Sequence, residues 1–151
     1  MGSHIGSERR LHKLQNKDLS TDYIKRAKVR LEAVELLLMR HSYADVVREA
    51  QEVVELALKS LLRKFGIQPP RIHDVSQVLL EEKSRFPAKV QENLSELAKI
   101  SKTMRRDREL AFYGTEDLTP SDFYTEEDAQ IALQSARYVV DNVWPHVMTA
   151  T

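Results

Sequence analysis

The residues best suited to chemistry are three arginines near the end of a predicted helix, Arg105, Arg106 and Arg108. That helix carries an apolar row with spacings of four and three residues, and Arg108 falls on this inward row. Burying an unpaired guanidinium is expensive, so an arginine there needs a carboxylate partner or a bound anion. Both alternatives are open at this stage: a structural pair with Glu55 or Asp45, or contact with an anionic ligand such as a nucleotide.

Arg106 and Tyr113 lie seven residues apart and therefore share a helix face, the one opposite to Arg108. This face is either an ordinary, partly solvated surface or a dimer surface that presents an arginine and a tyrosine together. Arg105 falls at the edge of the apolar row, where we expect contact with solvent. All four positions are candidates for a ligand site or an interface.

The other polar candidates are His73 and the pair formed by Glu55 and Lys59. His73 precedes Asp74, a residue suited to capping a short helix, so it is either a loop residue beside that cap or the titrating group of a pocket. Glu55 and Lys59 stand four residues apart in the favourable orientation for a helical ion pair. We predict that these two side chains form a structural pair.

Composition excludes several classes of protein. The chain has 151 residues, the size of one domain, and its 23 basic and 23 acidic side chains leave no formal net charge, so any nucleic-acid contact must come from a local patch. The lack of cysteine excludes disulfides, thiolate catalysis and cysteine zinc sites. Glycine-rich phosphate loops and apolar runs of membrane-spanning length do not occur. We expect a cytoplasmic protein without a cofactor, a metal or a membrane contact.

Helical periodicity and a scarcity of glycine and proline predict an all-α fold. We expect an antiparallel four-helix up-and-down bundle with one additional short helix. The first long helix has Ser20 or Thr21 as its N-cap. The second carries two adjoining apolar rows, which indicates packing both inside its own bundle and against something else, and Gly66 follows its end.

The second half of the chain contains the short helix and two further long helices. One of these has Pro87 in its first turn and runs to about residue 113, followed by a polar loop over residues 114–124. The last helix begins with a capping box. We expect it to end near Trp144, because Pro145 disfavours a helical conformation for the residue before it.

The order and spacing of several segments resemble the HEPN (higher eukaryotes and prokaryotes nucleotide-binding) domain family. These segments are residues 43–62, 66–70, 73–75, 108–113 and 124–129. The resemblance covers roughly residues 20–145. It implies an all-helical bundle that often dimerises and frequent pairing with a minimal nucleotidyltransferase in a toxin–antitoxin-like system. For many members it also implies metal-independent ribonuclease activity.

The family's ribonucleases use an Arg-x(4–6)-His motif on the fourth helix, composed across the dimer interface, and this sequence departs from that motif. Positions 110–115 cover the required spacing from the arginines and contain no histidine. When Arg106 is aligned with the motif's arginine, Ala111 takes the histidine position and Tyr113 that of a following tyrosine. The unperturbed pKa of tyrosine is about 10, against about 6.5 for histidine, so tyrosine is a poor substitute for the missing general base.

We therefore predict a noncatalytic HEPN-type module that binds a nucleotide or RNA, pairs with a minimal nucleotidyltransferase, or does both, and that forms a homodimer. One alternative is a metal-independent ribonuclease with displaced catalytic residues, in which His73 or another residue serves as the base. A second alternative is a structural adaptor without a ligand. Residues 1–7 resemble an expression-tag leader, residues 8–19 an N-terminal extension and residues 20–148 a single HEPN-like helical domain.

Overall fold

The chain folds into α-helices joined by short connections. The computed structural model describes the backbone of residues 2–113 and 119–149, and the side chains of residues 19–104 and 119–149. Within these ranges it contains no strand. The helices are α1 (Gly2–Met39), α2 (Tyr43–Lys64), α3 (Ser76–Glu81), α4 (Ala88–Tyr113), α5 (Pro120–Phe123) and α6 (Glu126–Val147), with a 3-10 turn at Lys83–Arg85. The predicted all-α bundle is confirmed, and α5 is a second short helix that the sequence did not predict.

The central element of the bundle is α2. Twelve of its 22 residues are buried, and most of them belong to its two apolar rows. The helix packs against α1, α6 and α4, whereas α4 and α6 have few contacts with each other. The predicted packing of α2 within its own bundle is therefore confirmed, and its packing against a further surface outside the bundle stays a prediction.

The C-terminus of α2 is closed by a Schellman motif at Gly66. The amide of Ile67 donates to the carbonyl of Leu62 at 2.9 Å, and the amide of Gly66 donates to that of Arg63 at 3.1 Å. Gly66 has a φ of 73°, in the left-handed region that favours glycine. The Arg85 guanidinium then donates to the carbonyls of Phe65 and Gly66, both at 3.2 Å, so the predicted glycine stop also carries a positive charge at the helix end.

The C-terminus of α1 has the same motif with a histidine in the glycine position. The amides of His41 and Ser42 donate to the carbonyls of Leu38 and Leu37, each at 3.0 Å. His41 has a φ of 60°, and its Nδ1 lies 2.9 Å from the hydroxyl of Tyr43. A non-glycine residue in this conformation carries steric strain, which the hydrogen bonds of the turn offset.

The predicted start of α1 is wrong, because the helix begins at Gly2 and neither Ser20 nor Thr21 caps it. Ser20 is instead fully buried inside α1. The Ser60 hydroxyl of α2 donates to the Ser20 backbone carbonyl at 2.6 Å. Local capping preference is a weak signal, and here a continued helix with a buried interhelical hydrogen bond overrides it.

The predicted end of α6 is also wrong, since the helix continues through Pro145 to Val147. Proline removes one backbone donor, but within the last turn the loss is confined to a single hydrogen bond. The amide of Met148 still donates to the carbonyl of Trp144 at 2.9 Å, and Val147 is buried with 2% of its surface exposed. Core packing of Val147 therefore keeps the last turn helical. The predicted capping box between Thr125 and Asp128 is confirmed.

Substitutions at the ends of α2 and α1 should change the free energy of unfolding in opposite directions. Gly66→Ala should lower the free energy of unfolding by about 1 kcal/mol, because alanine is strained at positive φ. His41→Gly should raise it by up to about 1 kcal/mol, because it removes a strain of the same kind. Urea denaturation of both variants beside the parent protein measures the two changes. A Gly66→Ala variant as stable as the parent would contradict this account of the turn.

Candidate functional site

The candidate site is a groove between α4 and α6, with a volume of about 560 Å³. The two helices are joined at one end by Asn93, whose Nδ2 donates to Asn142 Oδ1 at 3.1 Å and whose Oδ1 accepts from the Tyr138 hydroxyl at 3.4 Å. Beyond this junction α4 and α6 separate, and Val47 of α2 lines the groove between them. A volume of this size lies within the usual range for small-molecule sites, about 300–1,000 Å³.

The walls of the groove are largely apolar. Ile100 and Met104 of α4 are buried beside it, and Ile131 of α6 stands at its edge with 55% of its surface exposed. Phe123 and Tyr124 follow one another at the end of α5, with ring centroids 4.9 Å apart and ring planes at 71°. Tyr124 is buried and Phe123 is half-buried, so the phenylalanine is the more accessible aromatic surface.

The short helix α5 positions this aromatic pair. Its N-cap Thr119 accepts a hydrogen bond from the amide of Asp122 at 3.3 Å, and the Thr119 hydroxyl donates to Asp122 Oδ2 at 2.7 Å. Pro120 occupies the first helical position, where proline is favoured. From the sequence these residues were expected to form a polar loop. The sequence does contain a signal for this helix: Thr119 as an N-cap, Pro120 at the first helical position and Asp122 in the first turn.

Polar side chains line the groove from both helices. Glu96, Lys99 and Thr103 of α4 recur at intervals of three and four residues, and Asp128 and Ser135 of α6 lie seven residues apart, so each group shares a helix face. Asp128 is held by the capping box, in which its Oδ2 accepts from the amide of Thr125 at 2.9 Å. The described lining residues include two carboxylates, Glu96 and Asp128, and one ammonium group, Lys99. This part of the groove therefore has a net negative charge.

A second polar cluster joins α2 to the connection that follows it. Glu55 Oε1 accepts from Lys59 Nζ at 2.8 Å, and Glu55 Oε2 lies 2.7 Å from Nδ1 of His73. The Glu55 and Lys59 side chains are 13% and 18% exposed, and that of His73 is 45% exposed. Burial opposes ionisation of Glu55, but the hydrogen bonds and charges of Lys59 and His73 outweigh it and hold the pKa of the Glu55 carboxyl below its ordinary value.

The residues after His73 are tied to α4. Asp74 Oδ1 accepts from the amide of Ser76 at 2.9 Å, so this carboxylate serves the first residue of α3. The amide of Val75 donates to the Ser101 hydroxyl at 3.0 Å, and that hydroxyl lies 3.3 Å from Asp74 Oδ1, to which it donates. The sequence pattern did not connect His73 with the Glu55–Lys59 pair, and it gave no role to Ser101, a polar residue in the apolar row of α4.

The arginine candidates lie outside the side chains that the structure describes. This applies to Arg105, Arg106, Arg108 and Tyr113, whose positions belong to the last part of α4. Both carboxylates that the sequence offered to Arg108 have other contacts. Glu55 binds Lys59 and His73 through its two oxygens, and Asp45 accepts from the Ser42 hydroxyl at 2.6 Å.

Among the described residues that line the groove His73 does not occur, and its Nδ1 lies 2.7 Å from Glu55 Oε2. In residues 19–104 and 119–149, no cluster of three or more potential metal ligands occurs. The helices of this same part of the chain include none with the length and hydropathy needed to cross a membrane.

These features define a class, an all-helical bundle in which α4 and α6 flank a groove of small-molecule size. Residues 20–144, most of the chain, match the HEPN domain family model. The chain therefore belongs to the HEPN domain family, which confirms the resemblance seen in its motifs. No curated protein and no solved structure gives a significant match to it.

The contacts of Glu55 predict a dependence of stability on pH. Because the pKa of Glu55 is lower in the folded chain than in the unfolded one, its ionised form stabilises the fold fully above the ordinary glutamate pKa of about 4.3. This stabilisation is lost as pH falls through the lowered pKa. Glu55→Gln should therefore reduce the free energy of unfolding by about 1–2 kcal/mol at neutral pH, and its difference from the parent should vanish in acid.

Urea denaturation across a pH series checks this prediction. Glu92→Gln is the matched control, because Glu92 is exposed on α4 and its replacement should change stability by less than about 0.5 kcal/mol. Equal stability of the Glu55→Gln variant and the parent at neutral pH would show that the cluster contributes nothing.

Proposed function

We propose that this chain is a noncatalytic HEPN-type module that binds a nucleotide or RNA at the groove and at the arginines that follow it on α4. One observation carries the proposal. The helix that lines the groove with Ile100, Thr103 and Met104 continues directly into the segment containing Arg105, Arg106 and Arg108. In this proposal the groove receives the base and the three basic residues that come next in the sequence of α4 bind phosphate, the two requirements of nucleotide binding.

The arginines have the role of phosphate binding in this proposal. Guanidinium groups form bidentate, charge-assisted hydrogen bonds with phosphate, which suits Arg106 and Arg108 to the ligand's backbone. Arg108 follows Met104 by four residues on the same helix, the interval at which helical positions share a face. Tyr113 supplies an aromatic surface for a second base, and Arg105 adds charge at the edge of the site.

The proposal is noncatalytic because positions 110–115 hold no histidine to act as a general base. One contact favours the alternative of a ribonuclease with displaced residues. The carboxylate of Glu55 holds Nδ1 of His73, and a carboxylate orients a histidine base in this manner in many enzymes. His73 lies outside the groove lining, however, so the same contact equally supports a structural role in positioning the connection after α2.

The proposed assembly is a homodimer, a complex with a minimal nucleotidyltransferase, or both, in a toxin–antitoxin-like system of the cytoplasm. Membership in the HEPN family supports this assignment. Size-exclusion chromatography with light scattering distinguishes a dimer of about 35 kDa from a monomer of 17.5 kDa, taking twice the chain mass as the dimer. A gene for a small nucleotidyltransferase beside that of this chain would favour the two-component system.

Binding of RNA should depend on the two central arginines. Arg106→Ala combined with Arg108→Ala should weaken the binding of a short single-stranded RNA by about 100-fold, roughly tenfold for each charge-assisted contact. Isothermal titration of the parent and the double variant measures the change. Lys25→Ala combined with Arg26→Ala on α1 is the charge-matched control and should bind like the parent. Absence of RNA and nucleotide binding by the parent, alone and with a nucleotidyltransferase, would refute the proposed function.

A cleavage assay decides between binding and catalysis. We expect the parent protein to leave structured and single-stranded RNA intact under conditions in which it binds them. Cleavage that His73→Gln abolishes would establish the ribonuclease with His73 as its base. Cleavage that survives both His73→Gln and the loss of Arg106 and Arg108 would place the chemistry elsewhere in the chain.

A further inference from the structure

We propose that the groove is a nucleobase subsite in which Glu96 and Asp128 select bases that carry an exocyclic amino group. This inference rests on the proposed function and specifies which bases the module prefers. It concerns the described part of the groove, on α4, α5 and α6, and does not depend on where the arginine side chains lie. Adenine, cytosine and guanine carry the amino group, whereas uracil does not.

Charge disfavours phosphate in this part of the groove. Glu96 on α4 and Asp128 on α6 line it from different helices, and Lys99 is the one basic side chain among the described lining residues. All three side chains are exposed, and two carboxylates against one ammonium group leave a net negative charge that disfavours a phosphate group there. A nucleotide in the groove therefore places its base between the carboxylates and directs its phosphate away from them.

The apolar walls fit the faces of a base. Ile100 and Met104 provide buried aliphatic surface on one side, and Ile131 is exposed on the other. Phe123 is half-buried at the groove and is fixed by its edge-to-face contact with Tyr124. Stacking of a base on an aromatic side chain is favourable and tolerates every base, so these walls supply affinity without selectivity.

Selectivity comes from the carboxylates, because an ionised carboxylate only accepts hydrogen bonds. The amino groups of adenine, cytosine and guanine donate to it, whereas uracil has no amino group and its N3–H donor is flanked by two carbonyl oxygens, which a carboxylate disfavours. The capping box holds Asp128 through its Oδ2, with a contact of 2.9 Å to the amide of Thr125, so this carboxylate is fixed before the ligand binds. A fixed acceptor loses little conformational entropy on binding, which strengthens discrimination.

The experiment compares fluorescein-labelled RNA hexamers of adenine, cytosine and uracil in anisotropy titrations with the intact chain. The parent should bind the adenine and cytosine hexamers about tenfold more tightly than the uracil hexamer. Glu96→Gln and Asp128→Asn should each reduce this ratio several-fold, because an amide donates to the uracil carbonyl as readily as it accepts from an amino group. Asparagine can still accept at the capping box, so the fold of α6 is retained.

Two controls separate base selection from the rest of binding. Glu92→Gln, a neighbouring exposed position on α4 outside the groove lining, should keep the tenfold ratio. Phe123→Leu should weaken all three hexamers by a similar factor and leave the ratio unchanged. Circular dichroism of each variant verifies that the helical content is that of the parent.

The outcomes distinguish this inference from the proposed function. Equal binding of the three hexamers by the parent would overturn base selection while leaving RNA binding established. A preference that persists unchanged in both Glu96→Gln and Asp128→Asn would show that the groove is not the subsite. Failure of the parent to bind any hexamer would refute the proposed function, and the inference with it.

Discussion

The structure depends on the packing of α2 against three other helices. It contacts α1, α6 and α4, and residues such as Leu58 and Leu61 have no exposed surface. Because one helix supplies the contact surface for three others, a defect in α2 would loosen all of them at once. Truncation of such a leucine to alanine typically destabilises a protein by about 2–5 kcal/mol, a large fraction of the total stability of a small domain.

The groove is a consequence of the same arrangement. Both α4 and α6 are held by α2, and between themselves they form the junction of Asn93 with Tyr138 and Asn142 at one end. From there the helices separate, and the buried Val47 of α2 lines the groove between them. Helical periodicity then determines which residues of α4 and α6 line the two walls of the groove, because residues three and four positions apart lie on the same face of a helix.

Polar contacts determine the position of the connections more than that of the helices. Arg85 closes the end of α2, the contact of Glu55 with His73 holds the connection to α3, and the Ser101 hydroxyl binds the backbone of Val75. Between α1 and α6, Lys28 lies 4.2 Å from the ring centroid of Trp144. Such contacts contribute less free energy than the core, but they select one geometry among the many that an apolar interface would allow.

Periodicity alone determined much of the fold, because a helix that buries one face must repeat its apolar residues every three or four positions. The two rows of α2, the stop at Gly66, the capping box of α6 and the family of the chain were all readable from local patterns. Local patterns also misled at the start of α1 and at Pro145. There the deciding interactions, the Ser60 hydrogen bond to Ser20 and the burial of Val147, join residues distant in the chain.

For the site, the sequence by itself determined which residue types are present, including the arginines of α4 and the absence of a histidine at the catalytic spacing. Only the tertiary structure brought Glu96 of α4 and Asp128 of α6 to one groove, and His73 to Glu55. The physical reason is that periodicity reports which face of each helix is buried, but not which helices pack together or separate. Which helices pack together depends on how well the surfaces of all the helices in the bundle fit one another. A groove forms where the surfaces of two neighbouring helices do not come into contact.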